Sequence, residues 1–350
     1  MATKSTKSAS TKIGDLLSIA QEAALQGGKH IREQYSAHKE LIIREKKKND
    51  FVTNLDVESE QIIKKIIKNY NPKAKIIGEE EGEEGNNSES VVWFVDPLDG
   101  TSAFIRSNIA FVSVSVAAVD NKSKQVLAGV IYNPFTEMLY TASGKDAFLN
   151  NSVKLTNSQI VPLKKARILI DYSDDHPSFF RKILGASDVD RVGRILRYDG
   201  SFAQHMCLIA NGTLDGALFW GFGDKGNFYD LASALLICRN AGLLVTDLTG
   251  KDISFSSKAY DQLVVAPQEL HKELMAFVHE ISFLSIQNLS ELESEILLYL
   301  RDSERSIQMR NLKNKFPKVT LTNLQKSLTD LKEKNLILMS KSWIKLNTSK

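Results

Sequence analysis

Apolar residues recur three and four positions apart at Ile13, Leu16, Leu17, Ala20, Ala24 and Ile31, a period that predicts a helix. A second helix is predicted after Asp56, with Val57, Ile62, Ile63, Ile66 and Ile67 on one face and Asn71-Pro72 as its stop. Between them, the short apolar patch Leu41-Ile42-Ile43 leads into the basic run Lys46 to Lys48, read as an exposed charged turn or as the source of one phosphate-steering lysine. Ala74 to Ile77 is a short strand that delivers Gly78-Glu79-Glu80. The apolar run Val91 to Val95 predicts a buried strand that stops at Asp96-Pro97, because proline cannot donate to a sheet ladder. Phe111 to Val119, Val126 to Tyr132 and Met138 to Ala142 read as strands, the last two joined by an Asn133-Pro134 turn. After Lys165 strands and helices alternate: strand at Ile168 to Ile170, helix from Gly200 to Ala210, strand at Asp215 to Trp220, helix at Tyr229 to Ala241, strand at Leu263 to Val265. The pattern predicts helices on a mostly antiparallel sheet, followed by an α/β half.

Composition narrows the class. With 350 residues, 43% hydrophobic and 25% charged, the chain fits one large globular domain or two. No apolar run approaches the ~20 residues that span a bilayer, and no apolar h-region lies near Met1, so neither a membrane nor a secretory role is expected. Cys207 and Cys238, both in apolar helical surroundings, read as buried free thiols and fit a cytoplasmic location. Met1 to Lys12 is Ser/Thr/Lys/Ala-rich and reads as a disordered tail, with a transit peptide as the weaker alternative. Residues 285–350 carry 12 Lys/Arg against 7 Asp/Glu, so this tail holds the basic excess and the remainder is mildly acidic.

The chemistry concentrates at Trp93-Phe94-Val95-Asp96-Pro97-Leu98-Asp99-Gly100-Thr101. Two carboxylates leave a strand end just before a possible helix start, where hard cations and phosphate both find partners. Three further elements keep the same order: Asp50-Phe51-Val52-Thr53-Asn54-Leu55-Asp56 and Gly78-Glu79-Glu80 upstream, and Tyr229-Asp230-Leu231-Ala232 downstream. Together they resemble the inositol monophosphatase-like family of metal-dependent, lithium-sensitive phosphatases, in pattern nearest to archaeal and bacterial members. The resemblance implies a layered αβαβα sandwich over residues 13–280, with subdomains of about 13–165 and 166–280. It implies that Glu79, Asp96 and the Leu98 carbonyl hold one Mg²⁺, that Asp96, Asp99 and Asp230 hold a second, and that Glu79 with water holds a weaker third. Glu80 would stand behind them. Thr101 and Asp56 would orient and deprotonate the attacking water, though Thr101 also reads as a helix cap. Glu79, Asp99, Thr101 and Asp56 are thus the expected catalytic group. Li⁺ is an expected inhibitor, and a homodimer is expected as well.

Asp99, Gly100, Thr101, Gly200, Ser201, Phe202 and Asp230 are the expected substrate contacts. Backbone N–H groups of Gly200-Ser201-Phe202 would meet substrate hydroxyls, or Ser201 simply caps a helix. Asp224 and Lys225 lie in a lengthened loop, where Lys225 either meets a second phosphate or is a solvated surface lysine. The expected reaction is hydrolysis of inositol 1-phosphate, with fructose 1,6-bisphosphate and 3′(2′),5′-bisphosphate nucleotides as alternatives. A regulatory DNA-binding protein with a degenerate phosphatase domain is the rival class.

Residues 285–350 form a second module. Helices are predicted from Leu289 (apolar face Leu292, Ile296, Leu297, Leu300), over Ile307 to Phe316, and over Leu321 to Lys334. Leu336 to Met339 and Trp343 to Leu346 follow as a hairpin around Ser340-Lys341-Ser342. The order resembles a winged helix-turn-helix. Such a fold would put the third helix in a DNA major groove, with Lys326, Lys332, Lys334 and Lys341 as basic candidates. The alternative is a dimerisation or protein-docking appendage.

Overall fold

The computed structural model describes residues 13–47, 50–157, 159–172, 191–220, 228–253, 262–286, 290–302, 307–334, 336–339 and 344–347. The expected tail at 1–12, Lys48, the Asp224-Lys225 loop, Leu289, the Ser340-Lys341-Ser342 turn and Trp343 lie outside them. The first of two compact units runs to Ala276 and the second begins at Phe277.

In the first unit α1 (Ile13–Ser36) is followed by the hairpin β1 (Ile43–Lys47) and β2 (Asp50–Thr53), then α2 (Asn54–Tyr70). The eight-stranded sheet comprises β3 (Lys75–Gly78), β4 (Gly82–Glu84), β5 (Val91–Asp99), β6 (Ser113–Asp120), β7 (Val126–Asn133), β8 (Met138–Ser143), β9 (Asp146–Leu149) and β10 (Val153–Lys154). Its order is β10-β9-β8-β7-β6-β5-β3-β4, and only the β3–β5 pair is parallel. α1 and α2 cover one face through Ala20, Ala24, Ile63 and Ile67, which bury against Trp93, Val95 and Val116.

The other face meets a helical layer made of α4 (Phe202–Ala210) and α5 (Phe228–Asn240), the short α3 (Thr101–Ile105) having followed β5. Beyond it lies a five-stranded sheet of β11 (Arg167–Tyr172), β12 (Arg194–Leu196), β13 (Gly216–Trp220), β14 (Leu244–Thr246) and β15 (Gln262–Ala266), in the order β12-β11-β13-β15-β14. Residues alternate across β13. Ala217 and Phe219 pack with α4 and α5, while Gly216 faces Leu274 of α6 (Gln268–Ile286). The layers read helix, sheet, helix, sheet, helix, the expected αβαβα sandwich. Cys207 and Cys238 are buried free thiols in the middle layer. Among the described residues no helix is long and apolar enough to cross a membrane.

Some local expectations fail. β5 continues through Pro97 to Asp99 instead of ending at Asp96, for a reason that shapes the site. The run around Lys46 is a strand of a hairpin, not a turn. β13 begins at Gly216, because Asp215 turns aside to accept from the Arg167 backbone N–H at 2.7 Å.

The second unit holds α7 (Glu291–Asp302), α8 (Met309–Lys315), α9 (Leu321–Glu333) and the antiparallel pair β16 (Ile337–Met339) and β17 (Ile344–Leu346). Ile296, Leu300, Leu312, Leu324, Leu328 and Ile337 share one core. Ile307 was expected to open the second helix. It instead exchanges both backbone hydrogen bonds with Ile344 at 2.8 Å, so α8 starts at Met309 and β17 is bordered on both sides.

Candidate active site

The site is built from an irregularity in β5. Up to Asp96 the strand alternates: Trp93 and Val95 bury toward α1 and α2, and Val92 and Phe94 toward Ala232 of α5. Asp96 pairs with Ser115 and Asp99 with Ser113, so Pro97 and Leu98 stand opposite the single residue Val114. This is a β-bulge, where the missing proline N–H costs the ladder nothing. The extra residue shifts the alternation, so Leu98 joins the α1/α2 side and both carboxylates face the helical layer. The Leu98 N–H donates to Asp96 Oδ1 at 2.9 Å and closes the bulge.

Each helix of that layer is tied to the sheet beside one carboxylate. Ser115 Oγ lies 2.8 Å from the Tyr229 carbonyl, which fixes the first turn of α5 and with it Asp230. Ser113 Oγ lies 2.8 Å from Ser201 Oγ at the start of α4. Ser201 donates to Asp99 at 2.5 Å and, as the N-cap, accepts from the Gln204 N–H at 2.9 Å. The Ala203 N–H donates to Asp99 at 2.8 Å. Gly100 then turns the chain at φ 91°, where a Cβ would lie 2.8 Å from the Ser201 nitrogen.

Glu79 arrives from the end of β3, its N–H held by the Val95 carbonyl at 3.1 Å. One carboxylate oxygen from each of Glu79, Asp96 and Asp230 falls within 4.8 Å of the others. Two full charges at that spacing repel by about 3 kcal/mol at an effective dielectric near 20. Burial, then Glu79 and Asp230, pushes Asp96 well up; burial, then Asp99, does the same to Asp230. Burial raises Asp99 to about 6 against the hydrogen bonds from Ser201 and Ala203. Asp230 Oδ1 is buried with no hydrogen-bond partner. An orphaned carboxylate oxygen among crowded hard donors fits a divalent cation such as Mg²⁺.

Thr101 lies beside this cluster. Its Oγ1 is 2.8 Å from Asp56 Oδ1 and 2.9 Å from the Leu98 carbonyl, so the hydroxyl is not a helix cap; Gly100 occupies that position. Asp56 is buried at the start of α2, where its other oxygen accepts from the Thr53 N–H at 2.9 Å and from the Thr53 hydroxyl. Burial lifts it to about 6. The structure thus brings Glu79, Asp96, Leu98, Asp99, Gly100, Thr101, Asp56 and Asp230 together. It also sets Gly200, Ser201 and Phe202 against Asp99, but not as expected. The N–H of Ser201 is held by the Phe111 carbonyl at 2.8 Å and that of Phe202 points at Asp99 at 3.3 Å, so neither is left for a substrate hydroxyl.

Two residues were missed or misread. Lys46 is not a solvated turn: its Nζ lies 3.2 Å from Glu79 and 2.9 Å from Glu80. Burial opposes its charge, but Glu79 and Glu80 outweigh it and raise its pKa. Glu60, wholly buried in α2, accepts from the Glu80 and Glu81 N–H groups at 2.8 and 3.0 Å and pairs with Lys64 at 2.7 Å. A Cβ on Gly78 would stand 2.3 Å from Glu60, so only glycine allows this grip on the loop that carries Glu79. The signal was present: Glu60 and Lys64, four apart, interrupt an otherwise apolar helix face.

Fold and site together define the inositol monophosphatase/fructose-1,6-bisphosphatase class of layered α+β proteins. The chain belongs to the inositol monophosphatase family, which it matches over residues 13–282. Members of this family are phosphatases and generally Mg²⁺-dependent. The chain is 35% identical over 239 residues to the Nus factor SuhB of Vibrio cholerae, covering 67% of this chain and 86% of that one. It is 31% identical over 270 residues to a fructose-1,6-bisphosphatase/inositol-1-monophosphatase of Aquifex aeolicus, covering 74% and 97%. Among solved structures, the extragenic suppressor protein suhB of Bartonella henselae aligns with a TM-score of 0.66 at 26% identity, over 75% of this chain and 97% of that one. The IMPase of Thermotoga maritima aligns at 0.63 and 26%, over 76% and 96%.

Proposed function

We propose that the protein hydrolyses a sugar or polyol phosphate monoester, inositol 1-phosphate first among them, with Mg²⁺ as cofactor and Li⁺ as inhibitor. The observation that carries this is the crowded Glu79–Asp96–Asp230 set, with its orphaned oxygen, beside the Thr101–Asp56 hydrogen bond. Glu79, Asp96, the Leu98 carbonyl, Asp99 and Asp230 would hold the cations. Bound there, Mg²⁺ acidifies water and offsets the charge of the phosphate. Thr101 Oγ1 donates to Asp56, which leaves its lone pair to accept from the attacking water. The proton then moves through the hydroxyl to Asp56, whose pKa of about 6 suits a base at neutral pH. Asp99 and Asp230 border the substrate's alcohol part, and Ser201 and Ala203 hold Asp99 in position.

The regulatory reading, with a degenerate phosphatase domain, is disfavoured because all these acids are present and converge. We assign residues 13–280 to the phosphatase domain and 285–350 to a winged-helix-like module. The two buried thiols favour a reducing, cytoplasmic setting. Phosphate release from a panel of sugar, polyol and nucleotide phosphates, with Mg²⁺, a chelator or Li⁺, tests the assignment; inositol 1-phosphate hydrolysis below all the others overturns the substrate.

A further inference from the structure

α9 presents two unlike faces. Leu324, Leu328 and Leu331 are buried in the core of the second unit. Thr322, Gln325, Lys326, Thr329 and Lys332, at i, i+3, i+4, i+7 and i+10, are exposed along the opposite side. A solvated helix commonly alternates acids with bases at such spacings, yet this stripe holds none. Its side chains are hydroxyl, amide and ammonium groups, the set that meets base edges and phosphates.

Charge is divided within the module. Residues 307–334 contain seven Lys/Arg and two Asp/Glu, whereas α7 holds Glu291, Glu293, Glu295 and Asp302 against Arg301. Lys334 is neutralised by Glu293 at 2.9 Å, which removes it from the expected basic set. Lys313 donates to the Val319 carbonyl and so fastens the connection from α8 to α9. Arg310, Lys315 and Lys318 remain exposed just before α9, and Lys345 on β17. Thr320 caps α9, its hydroxyl accepting from the Asn323 N–H at 3.2 Å, so the positive end of a 13-residue helix lies two residues after Lys318.

We propose that this module binds duplex DNA, with the Thr322–Thr329 side of α9 in the major groove and Lys315 and Lys318 on the flanking phosphates. An α-helix fits the major groove of B-DNA, whereas the deep, narrow major groove of an RNA duplex excludes it. The fixed α8–α9 connection presents the stripe without an ordering cost. The family match ends at residue 282, so this activity is separate from the phosphatase.

The test uses the full-length chain and a fluorescein-labelled duplex DNA of mixed sequence, read by anisotropy from low to physiological salt. Log affinity is expected to fall linearly with log salt. The variant Lys315→Ala/Lys318→Ala/Lys326→Ala is expected to bind at least about tenfold more weakly and to flatten the slope by about 2.7, near 0.9 per lost phosphate contact. Its thermal melt should match that of the parent chain, which excludes unfolding as the cause. Three results overturn the proposal: no duplex binding at low salt, the parent slope retained by the triple variant, or single-stranded or duplex RNA competing better than duplex DNA.

Discussion

Thr101 and Asp56, 45 residues apart, meet at 2.8 Å between the Thr101 hydroxyl and Asp56 Oδ1. The same Asp56 closes the capping box of α2 through Thr53. One buried carboxylate therefore anchors a helix start with one oxygen and orients a hydroxyl beside the acidic cluster with the other. If that hydroxyl relays a proton, Thr101→Ala should lower kcat by about 10²–10⁴ and leave KM nearly unchanged. Steady-state kinetics check this. A change in KM alone would assign Thr101 to binding.

Asp56→Asn keeps the shape of the capping box but removes the base. Its kcat should fall as far as that of Thr101→Ala, and the double variant should lose little more, because the pair acts as a unit. Additive losses in the double-mutant cycle would separate the two roles.

Asp230→Asn removes a charge that crowds Asp96 and Asp99. The metal-free protein should gain stability, on the order of 1–3 kcal/mol, because less repulsion is buried. Its melting temperature should no longer rise with Mg²⁺. Differential scanning fluorimetry with and without the ion measures both. An unchanged Mg²⁺ shift would remove Asp230 from the ligand set.

Stability should depend on pH through the same groups. Asp56 and Asp99 titrate near 6 when folded, above the ordinary value of about 4. The folded state then holds protons that the unfolded state has released, so metal-free stability falls as pH rises from about 4 to 6 and stays lower above. His271, which burial pushes down, works in the opposite direction. The increment due to Mg²⁺ cancels that background. It should be small at pH 5 and large at pH 7.5, since cations bind the ionised carboxylates. A constant increment across that range contradicts the buried-cluster account.

Glu60 touches no reacting atom but holds the Glu80 and Glu81 amides. As a positioning residue it should act through the ion. Glu60→Gln is expected to raise the Mg²⁺ concentration needed for half-maximal activity by about 10–100-fold, with a smaller change in kcat at saturating Mg²⁺. A fall in kcat that saturating Mg²⁺ does not restore would make its role purely structural.

The sequence made the ligand set legible because those residues sit in short contiguous motifs, and Asp96, Asp99 and Glu79 need only a strand end to be presented. It concealed the bulge. Pro97 reads as a terminator, and only pairing with Val114 across the sheet lets the strand pass it and turn both carboxylates the same way. Lys46 looked solvated because its partners lie 33 and 34 residues away. The amides of Ser201 and Phe202 looked available because nothing local shows that Phe111 and Asp99 claim them. In the second unit the helical pattern was readable, but Ile307 leaves it for a long-range pairing with Ile344.

The most direct measurement of the central claim is phosphate release from inositol 1-phosphate by the parent chain and by Asp96→Asn, each titrated with Mg²⁺. Asp96 belongs to the crowded carboxylate set and is buried beside Asp230. The account predicts turnover that requires Mg²⁺ in the parent chain and is lost in the variant at every Mg²⁺ concentration. Turnover that survives chelation, or that Asp96→Asn retains, would contradict it.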